Sequence, residues 1–199
     1  MLEHVPQWLG KALRNVRAGH AKLAVARLGE EGMVGRNGFQ LSSAAFADGM
    51  TLDPCFTADE EDAVAPPIEW SAPPPGTQEL VLVVEDADAP APQPFCHWLV
   101  WGLPGQKGQI LEGETPPRVG KNSYGNSEWL LPDPPSGHGA HDYVFQLFAL
   151  DLPLTLMPGA TRDEVLDAME GHVLAVAVLT GTYSRESGGA DEADVDGDE

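Results

Sequence analysis

Apolar side chains near the start of the chain recur at Val5, Trp8, Leu9, Ala12, Leu13 and Val16. This i, i+3, i+4, i+7 spacing places them on one face of an amphipathic helix. Lys11, Arg14 and Arg17 fall off that face, and Gly19 follows as a breaker. From about residue 39 the pattern changes to short apolar runs separated by turn signals. Phe39, Leu41, Ala45 and Phe46 precede Asp48-Gly49, and Pro73-Pro74-Pro75-Gly76 precedes an apolar run over 79–85. Further runs at 95–103 and 143–150 carry the aromatic and β-branched residues that suit strands. Residues 105–139 are rich in Gly and Pro, which predicts a long ordered loop rather than a linker. Thr161 and Glu164 have the spacing of a capping box, predicting a short helix to about residue 170, with Gly171 to stop it. Residues 172–183 are almost uniformly apolar and predict a strand buried on both faces.

These elements divide the chain into an N-terminal helical extension (1–36), a mainly-β domain (37–185) and an acidic tail (186–199) expected to be disordered. A chain of 199 residues with 42% hydrophobic residues suffices for one such domain with tails. No apolar run reaches the length of a membrane-spanning helix. The first residues lack a basic start and an apolar core, so a cytoplasmic location is expected. Cys55 and Cys96 form neither a disulfide framework nor a C-x-x-C pair, and are expected as free thiols.

The formal charge of −20 argues against general nucleic-acid binding, which needs a basic footprint. The charge is uneven: residues 1–36 hold six of the eleven bases, and 186–199 hold seven acids and no base. Between them, Asp59, Glu60, Glu61 and Asp62 read as an exposed acidic loop.

The chemistry gathers at the end of the 79–85 run. Asp86 and Asp88 stand at i, i+2, on one face if the backbone is extended. His97 opens the next run and reaches the same place if the two strands pair. Taken singly, Asp86 also reads as a turn cap and His97 as a half-buried polar residue. No G-x-S-x-G elbow or phosphate-cradling glycine loop is present. His138 and His141 are i, i+3 but lie in a glycine-rich stretch, a weak signature for a metal.

Five segments occur in a fixed order between about residues 39 and 185. They are Pro66-Pro67-Ile68-Glu69-Trp70, Asp86-Ala87-Asp88-Ala89-Pro90 with His97-Trp98, Gly120-Lys121-Asn122-Ser123-Tyr124-Gly125 with Pro132-Asp133-Pro134-Pro135, His141-Asp142-Tyr143-Val144-Phe145, and Phe148-Ala149-Leu150-Asp151. In this the chain resembles the phosphatidylethanolamine-binding protein family, specifically its bacterial Raf kinase inhibitor-like branch. The resemblance implies an antiparallel β-sandwich with a short C-terminal helix, to which the N-terminal helical extension is an addition. It also implies a small anion-binding cavity walled by Asp86, Asp88, His97 and His141, with Tyr143 less directly involved, and a cis bond before Pro90. In such a cavity imidazole N–H groups would donate to the anion, and the carboxylates would raise both histidine pKa values.

The function implied is binding of a small anion or phospholipid headgroup, with a regulatory role and no catalysis, cofactor or metal. Inhibition of a kinase or protease is the alternative, and a metal-dependent hydrolase the remotest one. Relatives suggest a homodimer. Three departures temper the headgroup expectation. Ala87 replaces the common proline, Asp142 stands where arginine is common, and a tyrosine near Trp129 is missing. An anion in place of a cation weakens phosphate attraction, so a carboxylate, a zwitterion or a neutral ligand carries equal weight.

Overall fold

The computed structural model describes residues 17–185. The helix expected over residues 5–16 and the tail expected over 186–199 lie outside the described residues. The fold is mainly β. One sheet has five strands in the order β2-β8-β7-β4-β5, and a smaller one has three in the order β1-β3-β6. Their ranges are β1 Leu41–Ser42, β2 Met50–Thr51, β3 Ile68–Trp70, β4 Glu79–Asp86, β5 Phe95–Pro104, β6 Gly108–Ile110, β7 His141–Leu150 and β8 Val173–Tyr183. All pairs are antiparallel except the short β2 against β8.

Strand β4 shows why its sequence is a continuous apolar run: all eight of its residues are buried. Leu80, Leu82 and Val84 join one core with Trp98, Val100, Phe145 and Leu147, closed by Leu41, Ile68, Trp70 and Ile110 of the small sheet. Val81 and Val83 point the other way, into a second core with Leu99, Trp101, Phe148 and Val176. Helix α2 (Arg162–Met169) caps that core through Val165, Leu166 and Met169. Period-two alternation therefore supplies two cores, and each has its own cover.

The strand predictions hold to within one or two residues. The capping box is also present: the N–H of Thr161 donates to Oε2 of Glu164 at 2.8 Å, and the N–H of Glu164 donates to Oγ1 of Thr161 at 3.4 Å. Two details differ. Within the loop over 105–139 the chain forms β6, which is too short to leave an alternation signal. Strand β8 is buried on both faces only in part, because Val178, Thr180 and Thr182 are half-buried beyond the cover given by α2. Cys55 and Cys96 are free, and burial raises the Cys96 thiol to about 12.

Residues 17–36 pack against the outer face of the large sheet. Gly19 takes φ +90°, after which a turn of 3-10 helix leads into α1 (Ala24–Leu28). Two backbone N–H groups at the start of α1 are satisfied by the sheet: Ala24 donates to Oε2 of Glu85 and Val25 to Oε1 of Gln146, both at 2.7 Å. Glu85, fully buried on β4, also accepts from Nε2 of Gln146 at 2.8 Å and from Nε of Arg162 at 2.5 Å. A buried carboxylate is tolerated only with such partners. No helix among the described residues is long and apolar enough to cross a membrane.

Candidate functional site

Strand pairing sets the site at one end of the large sheet. Asp86 ends β4 opposite Phe95 of β5 and Tyr143 of β7. His141 lies two residues before Tyr143 on β7, hence on the same face. His97 reaches that face through an irregularity. The β4–β5 register passes from Val84↔Trp98 to Glu85↔Cys96, so His97 is the extra residue of a β-bulge. The bulge lets His97 and Trp98, neighbours in sequence, both turn inward. Trp98 enters the core, and His97 packs edge-on against Tyr143 with ring centroids 5.0 Å apart.

Asp86, His97, His141 and Tyr143 thus line one cavity, completed mainly by Pro90, Phe95, Tyr124 and the half-buried Leu130 and Leu131. Its volume is about 20 Å³, room for roughly one water-sized group. Asp88 is not among the residues that line it. The strand ends at Asp86, whose Oδ1 accepts the Asp88 N–H at 2.8 Å in an Asx turn. Asp88 is thereby turned away, accepting the Asp142 N–H at 2.7 Å and pairing with Arg17 at 2.7 Å.

Two further expectations are corrected. Pro90 lines the cavity, but no described peptide bond is cis, the Ala89–Pro90 bond included. The reversal comes from the Asx turn and from a tight turn in which the Ala91 N–H donates to the Ala89 carbonyl at 2.7 Å. The pKa of His97 is lowered from 6.5, not raised: burial opposes the charged form and outweighs the pull of Asp86.

The tautomer of His97 follows from its hydrogen bond to Leu130. Nδ1 is 2.6 Å from the carbonyl oxygen of Leu130. A carbonyl only accepts, so Nδ1 carries the proton, and in the neutral ring Nε2 is a bare lone pair. Among the described residues Nε2 has no partner, although it is buried. His141 differs. Its Nδ1 donates to Oδ2 of Asp86 at 2.7 Å, and its Nε2 lies 2.6 Å from Nδ1 of His138. Both ring nitrogens are engaged, so His141 offers the cavity no spare N–H. Tyr143 is fully buried. Burial, then Asp86, Asp133 and Asp88, push its hydroxyl well above 10, so it stays protonated.

Sequence reasoning missed His138 as a member of this site. Its only signal was the i, i+3 spacing to His141, read as a weak metal pair. Among the described residues no group of three or more His, Cys, Asp or Glu is placed to hold a metal ion. Asp142, on the opposite face of β7, lies 3.2 Å from Nε2 of His20 and does not line the cavity.

Beside the cavity lies a cleft of about 500 Å³. The two spaces share a wall of Tyr124, Leu130, Leu131 and Asp133. Trp98 and Trp129 line the cleft, and Ala58 with residues 63–65 brings the flanks of the acidic loop to its edge. Trp129 stacks on Phe145 and donates its indole N–H to the Phe56 carbonyl at 3.1 Å, which holds the ring in place.

The sequence pattern of the phosphatidylethanolamine-binding protein family matches residues 42–184. A UPF0098 protein of Aquifex aeolicus (strain VF5) is 38% identical over 154 residues, spanning 74% of this chain and 89% of its own length. Among solved structures, a candidate phosphatidylethanolamine-binding protein homologue from Chlamydia trachomatis is 34% identical. It superposes with a TM-score of 0.69, over 74% of this chain and 97% of that one. Escherichia coli YbcL, described as a member of the mammalian family of that name, shares the fold with a TM-score of 0.66 at 23% identity, over 74% of this chain and 98% of its own.

Proposed function

The chain belongs to the phosphatidylethanolamine-binding protein family, and on that premise we propose that it binds a small polar ligand whose head group enters the cavity between Asp86, His97 and His141. The observation that carries this reading is the buried Nε2 of His97, which has no partner among the described residues. A buried polar atom without a partner is costly, and a ligand atom placed there removes that cost. Because Nε2 is a lone pair in the neutral ring, the group that meets it brings a proton: an ammonium, a hydroxyl or a protonated acid.

A fully ionised anion is poorly served by this cavity. Among the described residues neither the cavity nor the cleft is lined by Lys or Arg, and Asp86 and Asp133 both border the cavity. Like charges about 4 Å apart repel by about 4 kcal/mol at an effective dielectric of about 20. An anion therefore enters only if His97 takes up a proton. The headgroup-like part of the expectation survives where the headgroup carries its own N–H or O–H donors.

Titration calorimetry with ethanolamine, acetate and inorganic phosphate tests the reading on the wild type and on His97→Ala. One of the three should bind with one-to-one stoichiometry, and that binding should be lost in the variant. Heats that are absent for all three, or unchanged by His97→Ala, sink the reading.

A further inference from the structure

A groove of about 640 Å³ lies beside Cys96, whose side chain packs in the second core. It shares no lining residue with the His97 cavity or with the cleft next to it. Its size is that of a small-molecule site, roughly 300–1,000 Å³. Four of the eleven Lys and Arg residues of the chain line it, Lys22, Arg27, Lys121 and Arg162, against one acid among the described residues, Asp163. The rest of the chain is strongly acidic, so the groove is a local reversal of sign.

Two of the four charges are already balanced. Arg162 pairs with buried Glu85 and with Asp163, and Arg27 pairs with Asp167. No ion pair among the described residues takes up Lys22 or Lys121. Acids outnumber bases 31 to 11, so two ammonium groups left without a carboxylate on one groove point to an anion from outside the chain.

The walls are held in place before any ligand arrives. Nη2 of Arg162 donates to the Lys22 carbonyl at 3.1 Å, and Nζ of Lys22 donates to the Pro92 carbonyl at 2.6 Å, leaving two of its N–H groups. The Lys121 N–H donates to the Ala160 carbonyl and the Ser123 N–H to that of Cys96, both at 2.9 Å. Between them, buried Asn122 accepts from the Tyr124 and Asn126 N–H groups at 3.0 and 3.1 Å. Oγ of Ser123 accepts the Cys96 N–H at 2.8 Å, and its own proton has no acceptor among the described residues. No aromatic ring lines the groove among the described residues, so nothing there stacks a base or a ring.

We propose that this groove is a second binding site, for a small hydroxyl-rich phosphate ester of the sugar-phosphate type. Its phosphate sits at Lys22 and Lys121, and its hydroxyls meet Gln93 and Ser123. A phosphate monoester carries about −1.5 to −2 charges at pH 7 and three acceptor oxygens, which matches two ammonium groups and a hydroxyl donor better than a single carboxylate does. The site is independent of the His97 cavity.

Calorimetry at neutral pH and constant ionic strength tests the proposal with glucose 6-phosphate, gluconate, glucose and inorganic phosphate. The proteins are wild type, Lys121→Gln, Lys22→Gln/Lys121→Gln, His97→Ala and Lys107→Gln. Lys22, Lys107 and Lys121 are all exposed, so these exchanges leave the fold intact, and Lys107 lies outside the groove. Glucose 6-phosphate should bind one-to-one and tighter than the other three. Lys121→Gln should weaken it about fivefold and the double variant about thirtyfold, as lost charge-assisted contacts. His97→Ala and Lys107→Gln should leave it unchanged. No binding of glucose 6-phosphate, or equal weakening by Lys107→Gln, overturns the proposal. Gluconate or inorganic phosphate binding as tightly overturns it too, because the site would then recognise charge alone. Loss in His97→Ala with no effect of the lysine exchanges would place the ester in the His97 cavity and overturn the second site.

Discussion

Nδ1 of His97 stands 2.6 Å from the carbonyl oxygen of Leu130, and this contact fixes the polarity of the cavity. With its proton committed to Leu130, the neutral imidazole presents a lone pair to the cavity. His141 cannot make up the difference, because Asp86 and His138 hold both of its nitrogens. The residues that first suggest anion binding are thus arranged, in the neutral state, to accept a hydrogen bond.

The pH dependence of ligand binding should therefore have a definite sign. The folded pKa of His97 lies below 6.5, so the lone pair is available at neutral pH. As pH falls through that folded value the ring protonates and repels an ammonium, and amine affinity should drop. Affinity measured from pH 8 down to 5, in buffers of different ionisation enthalpy, checks this. Affinity that rises on acidification, with proton uptake, would return the site to an anion.

Folding stability should register the same group. The unfolded histidine titrates near 6.5 and the folded one lower, so between the two values the unfolded state binds more protons. The contribution is fully present above about pH 6.5 and declines as pH falls toward the folded pKa. Denaturant melts of wild type and His97→Gln should diverge at neutral pH and converge on acidification. Parallel curves would contradict the lowered pKa.

His138 should matter to the fold through His141. Replacing it with alanine leaves Nε2 of His141 buried and without its 2.6 Å partner. The expected loss is about 1–3 kcal/mol, read from urea melts. In nitrogen NMR the His141 Nδ1 proton should persist, because Asp86 still accepts it. Its disappearance would place the controlling bond with His138 instead.

Arg162→Met should be among the more damaging substitutions outside the site. It strips the cationic partner from fully buried Glu85, and breaking a buried pair in this way costs about 3 kcal/mol. The double variant Glu85→Gln/Arg162→Met should recover part of that loss, since no unpaired charge remains. A double variant no more stable than the single one would mean that Glu85 acts chiefly through Ala24 and Gln146.

The strands and the C-terminal helix were legible because local physics determines them. Continuous or alternating apolar runs with Gly and Pro punctuation produced β4, β5, β7 and β8, and Thr161 with Glu164 marked the start of α2. Strand β6 escaped notice because its three residues, Gly-Gln-Ile, carry no period. The role of Glu85 was hidden for a different reason: its partners Ala24, Gln146 and Arg162 are all 61 or more positions away.

The site divides along the same line. The order and types of its residues, Asp86, His97, His141 and Tyr143, are properties of the sequence, and they mark the family and the end of the sheet where a cavity forms. Which of them face that cavity, and with which atom, is a tertiary outcome. A one-residue bulge turns His97 inward, the end of β4 turns Asp88 outward, and a loop carbonyl takes the His97 proton. Residue types carry donors and acceptors, but a hydrogen bond needs a partner within about 3 Å. Those partners are chosen by strand register and loop path, so only the folded chain decides that the cavity accepts a proton rather than offers one.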